Sequence, residues 1–104
     1  MKKAKPPRDL TADAKKLWYR IFASSDMDEP AVILLDSLCR SWDRVQQARA
    51  IITRDGPVLI EKTAAGNTKS RMHPASQIER DSAATMMRAW RLLGFDQQPP
   101  EETK

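Results

Sequence analysis

The sequence contains few of the residues that the commonest catalytic and binding sites need. Among its 104 residues are one cysteine, Cys39, and one histidine, His73. One cysteine excludes a disulfide within the chain, and one of each leaves too few ligands for a zinc site. Cys39 lies in a helical pattern, which favours a small buried side chain over a nucleophile. His73 stands alone, without the partners that a general base needs, so we expect it to be an N-cap or a loop residue.

Glycine and long apolar runs are also scarce. The three glycines, at positions 56, 66 and 94, are scattered, and none opens a helix with the spacing of a phosphate-binding loop. No apolar run approaches the roughly 18 residues that span a bilayer, and no apolar signal-peptide segment follows the lysine-rich start. Glu79 and Asp81 point to different faces of a helix, so they are poor ligands for a shared metal. We therefore expect no catalytic residue, metal or cofactor, no membrane partner and a cytoplasmic location.

The most informative stretch present is a long amphipathic run over residues 28–54. It predicts one helix of about seven turns, on the order of 38 Å long. Asp28 and Pro30 suit its beginning. Apolar residues at three-and-four spacing form one stripe, namely Ala31, Leu34, Leu35, Leu38, Trp42, Val45, Ala48 and Ile52. The opposite, polar face is predicted to carry Asp36, Arg40, Asp43, Arg44, Gln47 and Arg49.

Shorter elements flank this helix. Thr11 is a good N-cap for a first helix over about 11–24, whose apolar stripe is Ala14, Leu17, Trp18, Ile21 and Phe22. A short loop then joins the first two helices, so we expect an αα-hairpin. Turn residues after position 54 and a β-favouring run predict a small β-hairpin over about 58–72. A third helix over about 74–93 has the stripe Ala75, Ile78, Ser82, Met86, Ala89, Trp90 and Leu93, and Phe95 is expected to fold back over its last turn.

These elements predict a mainly α fold, a three-helix domain with a long central helix. We expect a mobile basic arm over residues 1–9, a single helical domain over 10–95 and a disordered tail over 96–104. The stripe of the long helix is more extensive than short partner helices can cover, so we expect the excess to be buried between copies. The residues predicted for the core or the oligomer contact are Leu17, Trp18, Phe22, Leu35, Leu38, Trp42, Val45 and Trp90.

Positive charge is concentrated in two parts of the chain. The net charge is +4 and the isoelectric point about 9.5. Residues 1–20 contain seven Lys or Arg against two Asp, and residues 54–72 carry a net charge of +2. Such clusters favour a polyanionic partner, with phosphate contacts as the main interaction. The predicted DNA-binding residues are Lys2, Lys3, Lys5, Arg8, Lys15, Lys16 and Arg20, with Lys62, Lys69 and Arg71 as a second group.

Several short motifs follow one another along the chain. They are Leu10-Thr11 through Trp18, Leu38-Cys39 and Trp42-Asp43, Gly56 before a short apolar strand, Met72-His73-Pro74-Ala75, Ile78 to Asp81, and Arg91-Leu92-Leu93-Gly94-Phe95. In this order and spacing the chain resembles the phage terminase small subunit family of the siphovirus type, over about residues 8–95. Family members often continue with a proline and a basic residue, whereas this chain continues with an acidic stretch.

The resemblance implies a non-enzymatic component of viral DNA packaging. Such proteins look like ring-forming homo-oligomers that recognise double-stranded viral DNA and recruit or regulate the large subunit, which carries the ATPase and the nuclease. A phage or prophage protein of this kind would work in the host cell cytoplasm. Two other classes remain open from the residues alone: a helical DNA-binding regulator or antitoxin, and a helical adaptor that does not bind DNA.

Overall fold

A computed structural model of the chain describes residues 5–24 and 26–95. Within these ranges the elements are α1 (Ala12–Ser24), α2 (Glu29–Asp55), β1 (Val58–Lys62), β2 (Thr68–Met72) and α3 (Pro74–Leu92). The mainly α fold, with a long central helix and a small hairpin before the third helix, is therefore confirmed, with boundaries within one residue of those predicted. The predicted tail over 96–104, and Lys2 and Lys3 of the predicted arm, lie outside the described residues.

Short-range hydrogen bonds explain where the first two helices begin and end. The Thr11 hydroxyl accepts from the backbone N–H of Ala14 at 3.1 Å, and the Asp28 carboxylate accepts from that of Ala31 at 3.0 Å. Each bond satisfies a first-turn N–H that has no partner within its own helix. Helix α2 ends at Gly56, whose φ of +86° lies in the left-handed region that favours glycine.

One hydrophobic core joins the three helices. Helix α1 packs on the N-terminal half of α2 and on the C-terminal end of α3, and the largest fully buried side chains include Trp18, Leu35, Leu38 and Val45. Trp90 is half-buried at the edge of this core. The Phe95 ring lies with its centroid 4.5 Å from that of Trp90, which confirms that the chain folds back after the last turn of α3.

Helix α3 returns along α2 and extends the packing beyond α1. Ala89 of α3 packs in the core with Leu35 and Leu38, while an ion pair of 2.7 Å joins Arg49 of α2 to Glu79 nearer the start of α3. The chain is consequently elongated, with extents of 64 × 23 × 22 Å. Helix α1 and the β-hairpin lie toward opposite ends of α2.

This arrangement contradicts three sequence predictions. The apolar stripe of the long helix is not left uncovered: it is buried within one chain at Leu35, Leu38, Trp42, Val45 and Ala48, because α1 and α3 together cover it. Asp43, assigned to the polar face, is only 7% exposed because α1 begins beside it. Ile78, assigned to the stripe of α3, is 50% exposed.

The β-hairpin is a two-stranded antiparallel sheet that connects α2 to α3. Its register runs from Val58 opposite Met72 to Lys62 opposite Thr68, and Gly66 supplies the left-handed turn residue with φ of +89°. Apart from the half-buried Leu59, every side chain of its two strands is exposed. The hairpin is therefore held by its backbone and by its attachment to the two helices rather than by a core of its own.

Candidate nucleic-acid interface

The described basic residues of the N-terminal group lie on and just before α1. Lys5, Arg8, Lys16 and Arg20 are exposed, and Lys15 is half-buried. The core side of α1 carries Ala14, Leu17, Trp18 and Ile21, so the helical period directs its basic residues to the outer side. We call Lys5, Arg8, Lys15, Lys16 and Arg20 the N-terminal basic surface.

Tyr19 joins this surface, although it was not among the predicted DNA-binding residues. Its side chain is 56% exposed on α1, between Lys16 and Arg20 in the sequence. A phenol here can offer a hydroxyl to a phosphate oxygen and an aromatic face to a sugar or base. The sequence could have indicated this exposure, because Tyr19 lies outside the apolar stripe of the first helix and so cannot pack in the core.

The cations of the N-terminal basic surface differ from Arg40 and Arg49 of α2 in their partners. Arg40 binds Asp9 and Asp36, both at 2.6 Å, and Arg49 binds Glu79. The Arg40 hydrogen bond holds the pKa of Asp9 below its ordinary value. Within residues 5–24 and 26–95, none of the five cations of the N-terminal basic surface forms a salt bridge. The charge of Lys15 also contributes to the lowered pKa of Asp9, and the five charges are otherwise available to an anionic partner.

The second predicted group is exposed but does not form one surface. The register of the hairpin places Lys69 and Arg71 on one face and Lys62 on the other. Arg71 also forms an ion pair of 3.1 Å with Glu61. The hairpin follows the C-terminal end of α2, whereas α1 packs around Trp42, so roughly 20 Å of helix separates the two groups at 1.5 Å per residue. The structure thus has two separate basic regions.

His73 connects the end of α2, the base of the hairpin and the start of α3. Its Nδ1 accepts from the backbone N–H of Ala75 at 3.0 Å, which confirms the predicted cap. The ring proton then lies on Nε2, which is 3.0 Å from the Asp55 carboxylate and donates to it. The His73 backbone N–H donates to the carbonyl of Pro57 at 2.9 Å. His73 therefore links α2, the hairpin and α3 at their junction. These structural contacts explain the residue without a catalytic function.

Charge at the same junction lowers the pKa of Asp55. The hydrogen bond from Arg54 is the larger cause and that from His73 the second. Since the pKa of this carboxyl is lower in the folded than in the unfolded chain, the carboxylate stabilises the fold at neutral pH. That stabilisation is fully present above the pKa of the unfolded chain and is lost as the pH falls from there through the lowered pKa of the folded chain.

Replacing His73 by alanine should destabilise the protein by about 1 kcal/mol, the usual effect of losing a helix N-cap. His73→Asn is the matched variant, because asparagine supplies a capping oxygen at the same position without the contact to Asp55. Urea unfolding monitored by circular dichroism measures both. We expect the midpoint for His73→Asn between those of the parent and His73→Ala; equal midpoints for parent and His73→Ala would contradict the capping role.

The described residues show neither a cluster of metal ligands nor an ionised cysteine. Its residues contain no group of three or more His, Cys, Asp or Glu side chains that could hold a metal ion. Burial, followed by the charges of Asp43 and Asp36, raises the pKa of the Cys39 thiol to about 12, so this side chain is a thiol at neutral pH. No helix among the described residues is long and apolar enough to cross a membrane.

Together these features define a small, mainly helical protein with separate basic regions at its surface. The family model described as "Phage terminase, small subunit" matches residues 14–99. The chain belongs to this family, and the resemblance drawn from its motifs is confirmed. Comparison with curated proteins and with solved structures finds no match.

Proposed function

We propose that this terminase small subunit is a non-catalytic, DNA-binding homo-oligomer, arranged as a ring, that recognises double-stranded viral DNA and recruits or regulates the large ATPase and nuclease subunit. The family match supports the small-subunit role. The observation that carries the DNA-binding part is the N-terminal basic surface, whose cations are free of salt bridges among the described residues. Its site of action would be the host cell cytoplasm.

The proposed binding mode is contact with phosphates by the outer side of α1. Lys16 and Arg20 are one helical turn apart, Lys15 is beside them, and Lys5 and Arg8 precede the same helix. Lysine and arginine contacts to phosphates release counterions, so binding weakens as salt increases. Tyr19 adds a hydroxyl to the same surface. Phosphate contacts of this kind position a protein on DNA without reading its sequence.

Changing Lys15 and Lys16 together to glutamate should weaken binding to duplex DNA and leave the helical content unchanged. We also expect the slope of log affinity against log salt to decrease in magnitude by about one for each phosphate that is no longer neutralised. Fluorescence anisotropy of a labelled duplex over a salt series measures both quantities. Arg88→Glu with Arg91→Glu is the control, since these exposed α3 residues give the same change in net charge without altering the N-terminal basic surface.

The control distinguishes binding of DNA at one surface from a general effect of net charge on DNA binding. Selective loss of binding in the α1 variant supports the N-terminal basic surface as the DNA site. Equal weakening of both variants would mean that net charge alone drives binding, and parental binding by the α1 variant at low salt would refute the proposed site. Light scattering of the parent protein tests the oligomer, and a monomeric mass would contradict it.

A further inference from the structure

A groove of about 650 Å³ lies between the base of the β-hairpin and the first half of α3. Most of its lining surface is apolar. The hairpin side contributes Pro57, Val58 and Met72, and the α3 side contributes Ser76, Arg80 and Ala83. Val58 is 50% and Met72 58% exposed, so the groove leaves apolar side chains in contact with water. Because a two-stranded hairpin is marginally stable in water, covering these side chains would stabilise it.

The charged side chains of this groove differ in their partners. Glu79 is paired with an arginine of α2 at 2.7 Å, and Arg71 with a glutamate of β1 at 3.1 Å. Arg80 forms no salt bridge with any residue that the structure describes. Its Nη2 instead donates to the Met72 sulfur at 3.7 Å, and a thioether is a weak acceptor. A guanidinium beside an apolar surface suits a peptide that carries carboxylates next to apolar residues.

The chain contains such a peptide after its third helix. Residues 96–104, which lie outside the described residues and which we call the acidic tail, include three acids, Asp96, Glu101 and Glu102, against one lysine. Two prolines immediately precede the two glutamates. The family model matches residues 14–99, so Glu101 and Glu102 follow the matched part. The stretch by which this chain departs from the family pattern therefore supplies both the charge and the apolar residues that the groove suits.

The end of α3 turns the chain toward the side of the helix that bears the groove. Gly94 has a φ of +88°, and the Phe95 ring lies with its centroid 4.5 Å from that of Trp90. Ser76, Ala83 and Trp90 follow one another at intervals of seven residues. Because seven residues are about two helical turns, the groove and Trp90 lie on the same side of α3.

The acidic tail is long enough to reach the groove of its own chain. Arg80 lies ten residues before Trp90, which is about 15 Å along the helix. Glu101 lies six residues after Phe95, and six extended residues span up to about 20 Å. Since Phe95 already lies beside Trp90, the carboxylate of Glu101 or Glu102 can contact Arg80.

We propose that the acidic tail docks in this groove of the same chain, pairing Glu101 or Glu102 with Arg80 and placing its two prolines on the apolar lining. A charge-assisted hydrogen bond to a carboxylate then replaces the weak contact of the guanidinium with Met72. Proline restricts the backbone to extended conformations, which lowers the entropy lost when such a segment is bound. Docking covers the apolar side chains at the base of the hairpin and stabilises its attachment to α3.

A zero-length crosslinker tests this pairing in the full chain. A carbodiimide joins a lysine amine to a carboxylate in contact with it, so Arg80→Lys is treated and the crosslinked peptides are identified by mass spectrometry. Arg88→Lys is the matched control, because Arg88 is exposed and nearer to the acidic tail along α3. It lies two residues before Trp90 and therefore on the opposite side of the helix from it. Mixing chains labelled with ¹⁵N and unlabelled chains distinguishes crosslinks within a chain from those between chains.

Modification of arginines by phenylglyoxal gives a second readout. Glu101→Gln with Glu102→Gln should make Arg80 react severalfold faster than in the parent, because its guanidinium is no longer covered by a carboxylate. The rate for Arg88 should not change. Asp96→Asn is the control, since Asp96 directly follows Phe95 and is too near the end of α3 to reach Arg80.

We expect crosslinks within one chain from the lysine introduced at position 80 to Glu101 or Glu102, and far fewer from that at position 88. Equal crosslinking at the two positions, or none at position 80, would overturn the proposal. Crosslinks found only between labelled and unlabelled chains would overturn it in favour of a tail from a neighbouring copy. An unchanged rate for Arg80 in the double glutamine variant would overturn it as well. None of these results bears on DNA binding or on the mass of the parent, so the proposed function is tested separately.

Discussion

Trp18→Ala is expected to lower the free energy of unfolding by about 3–5 kcal/mol, the range for truncating a large buried aromatic side chain. Trp18 is only 2% exposed and packs in the core where α1 meets α2 and the end of α3. Its removal leaves a cavity where the three helices meet, and a short helix such as α1 depends on tertiary packing for its stability. Urea unfolding monitored by circular dichroism measures the effect.

Two neighbouring variants make this test specific. Tyr19→Ala removes the adjacent aromatic ring, which is 56% exposed, and should change stability little. Trp18→Phe keeps much of the ring volume and removes an indole N–H that is buried with no hydrogen-bond partner among the described residues. We therefore expect Trp18→Phe to lose much less stability than Trp18→Ala. Similar decreases for Trp18→Ala and Tyr19→Ala would contradict the placement of α1 on the core.

Asp43→Ala should cost about 1.5–3 kcal/mol, the range for hydrogen bonds to a charged group. The Asp43 carboxylate accepts from the backbone N–H of Thr11 at 3.0 Å and from its hydroxyl at 2.5 Å. The same hydroxyl caps α1 by accepting from Ala14. One buried carboxylate thus ties the start of α1 to the middle of α2, and its removal loosens both the cap and the packing of α1.

Gln47→Ala is the control for Asp43→Ala, since Gln47 lies one turn further along α2 and is exposed. Thr11→Ser should retain most of the stability because serine keeps the hydroxyl that donates to Asp43 and caps α1. Thermal unfolding by calorimetry ranks the variants. A transition temperature for Asp43→Ala equal to that for Gln47→Ala would show that the contact between Thr11 and Asp43 does not hold α1 in place.

The elements of the fold were predictable because their signals are short-range. Thr11, Asp28 and His73 each place an acceptor beside the first-turn N–H groups of the helix that follows, whatever the rest of the chain does. The apolar period of residues 28–54 likewise identifies a helix and the side of it that is buried. Turn chemistry at Gly56 and Gly66 marked the end of that helix and the reversal in the hairpin.

The candidate site was predictable only in part. The helical period placed Lys16 and Arg20 on the outer side of α1, as the structure has them. It could not show that Arg40 is held by Asp9, whose position in the sequence is distant. Nor did composition separate Lys62 from Lys69, which the strand register assigns to opposite faces of the hairpin. The sequence shows where basic residues cluster along the chain. Whether each of their charges is free depends on which acidic residues the tertiary structure brings beside it.

The sequence by itself determined the three helices, the hairpin, their caps and most of the buried side of each helix, because these depend on residues within a few positions of one another. Only the tertiary structure decided that α1 and α3 cover the stripe of α2, that Asp43 accepts hydrogen bonds from Thr11, and that the apolar side chains of the hairpin are left exposed. The physical reason is that an amphipathic pattern shows that one side of a helix is buried but does not show which element covers that side. The partner is selected by the packing of the whole chain, which brings together residues such as Thr11 and Asp43 that are far apart in sequence.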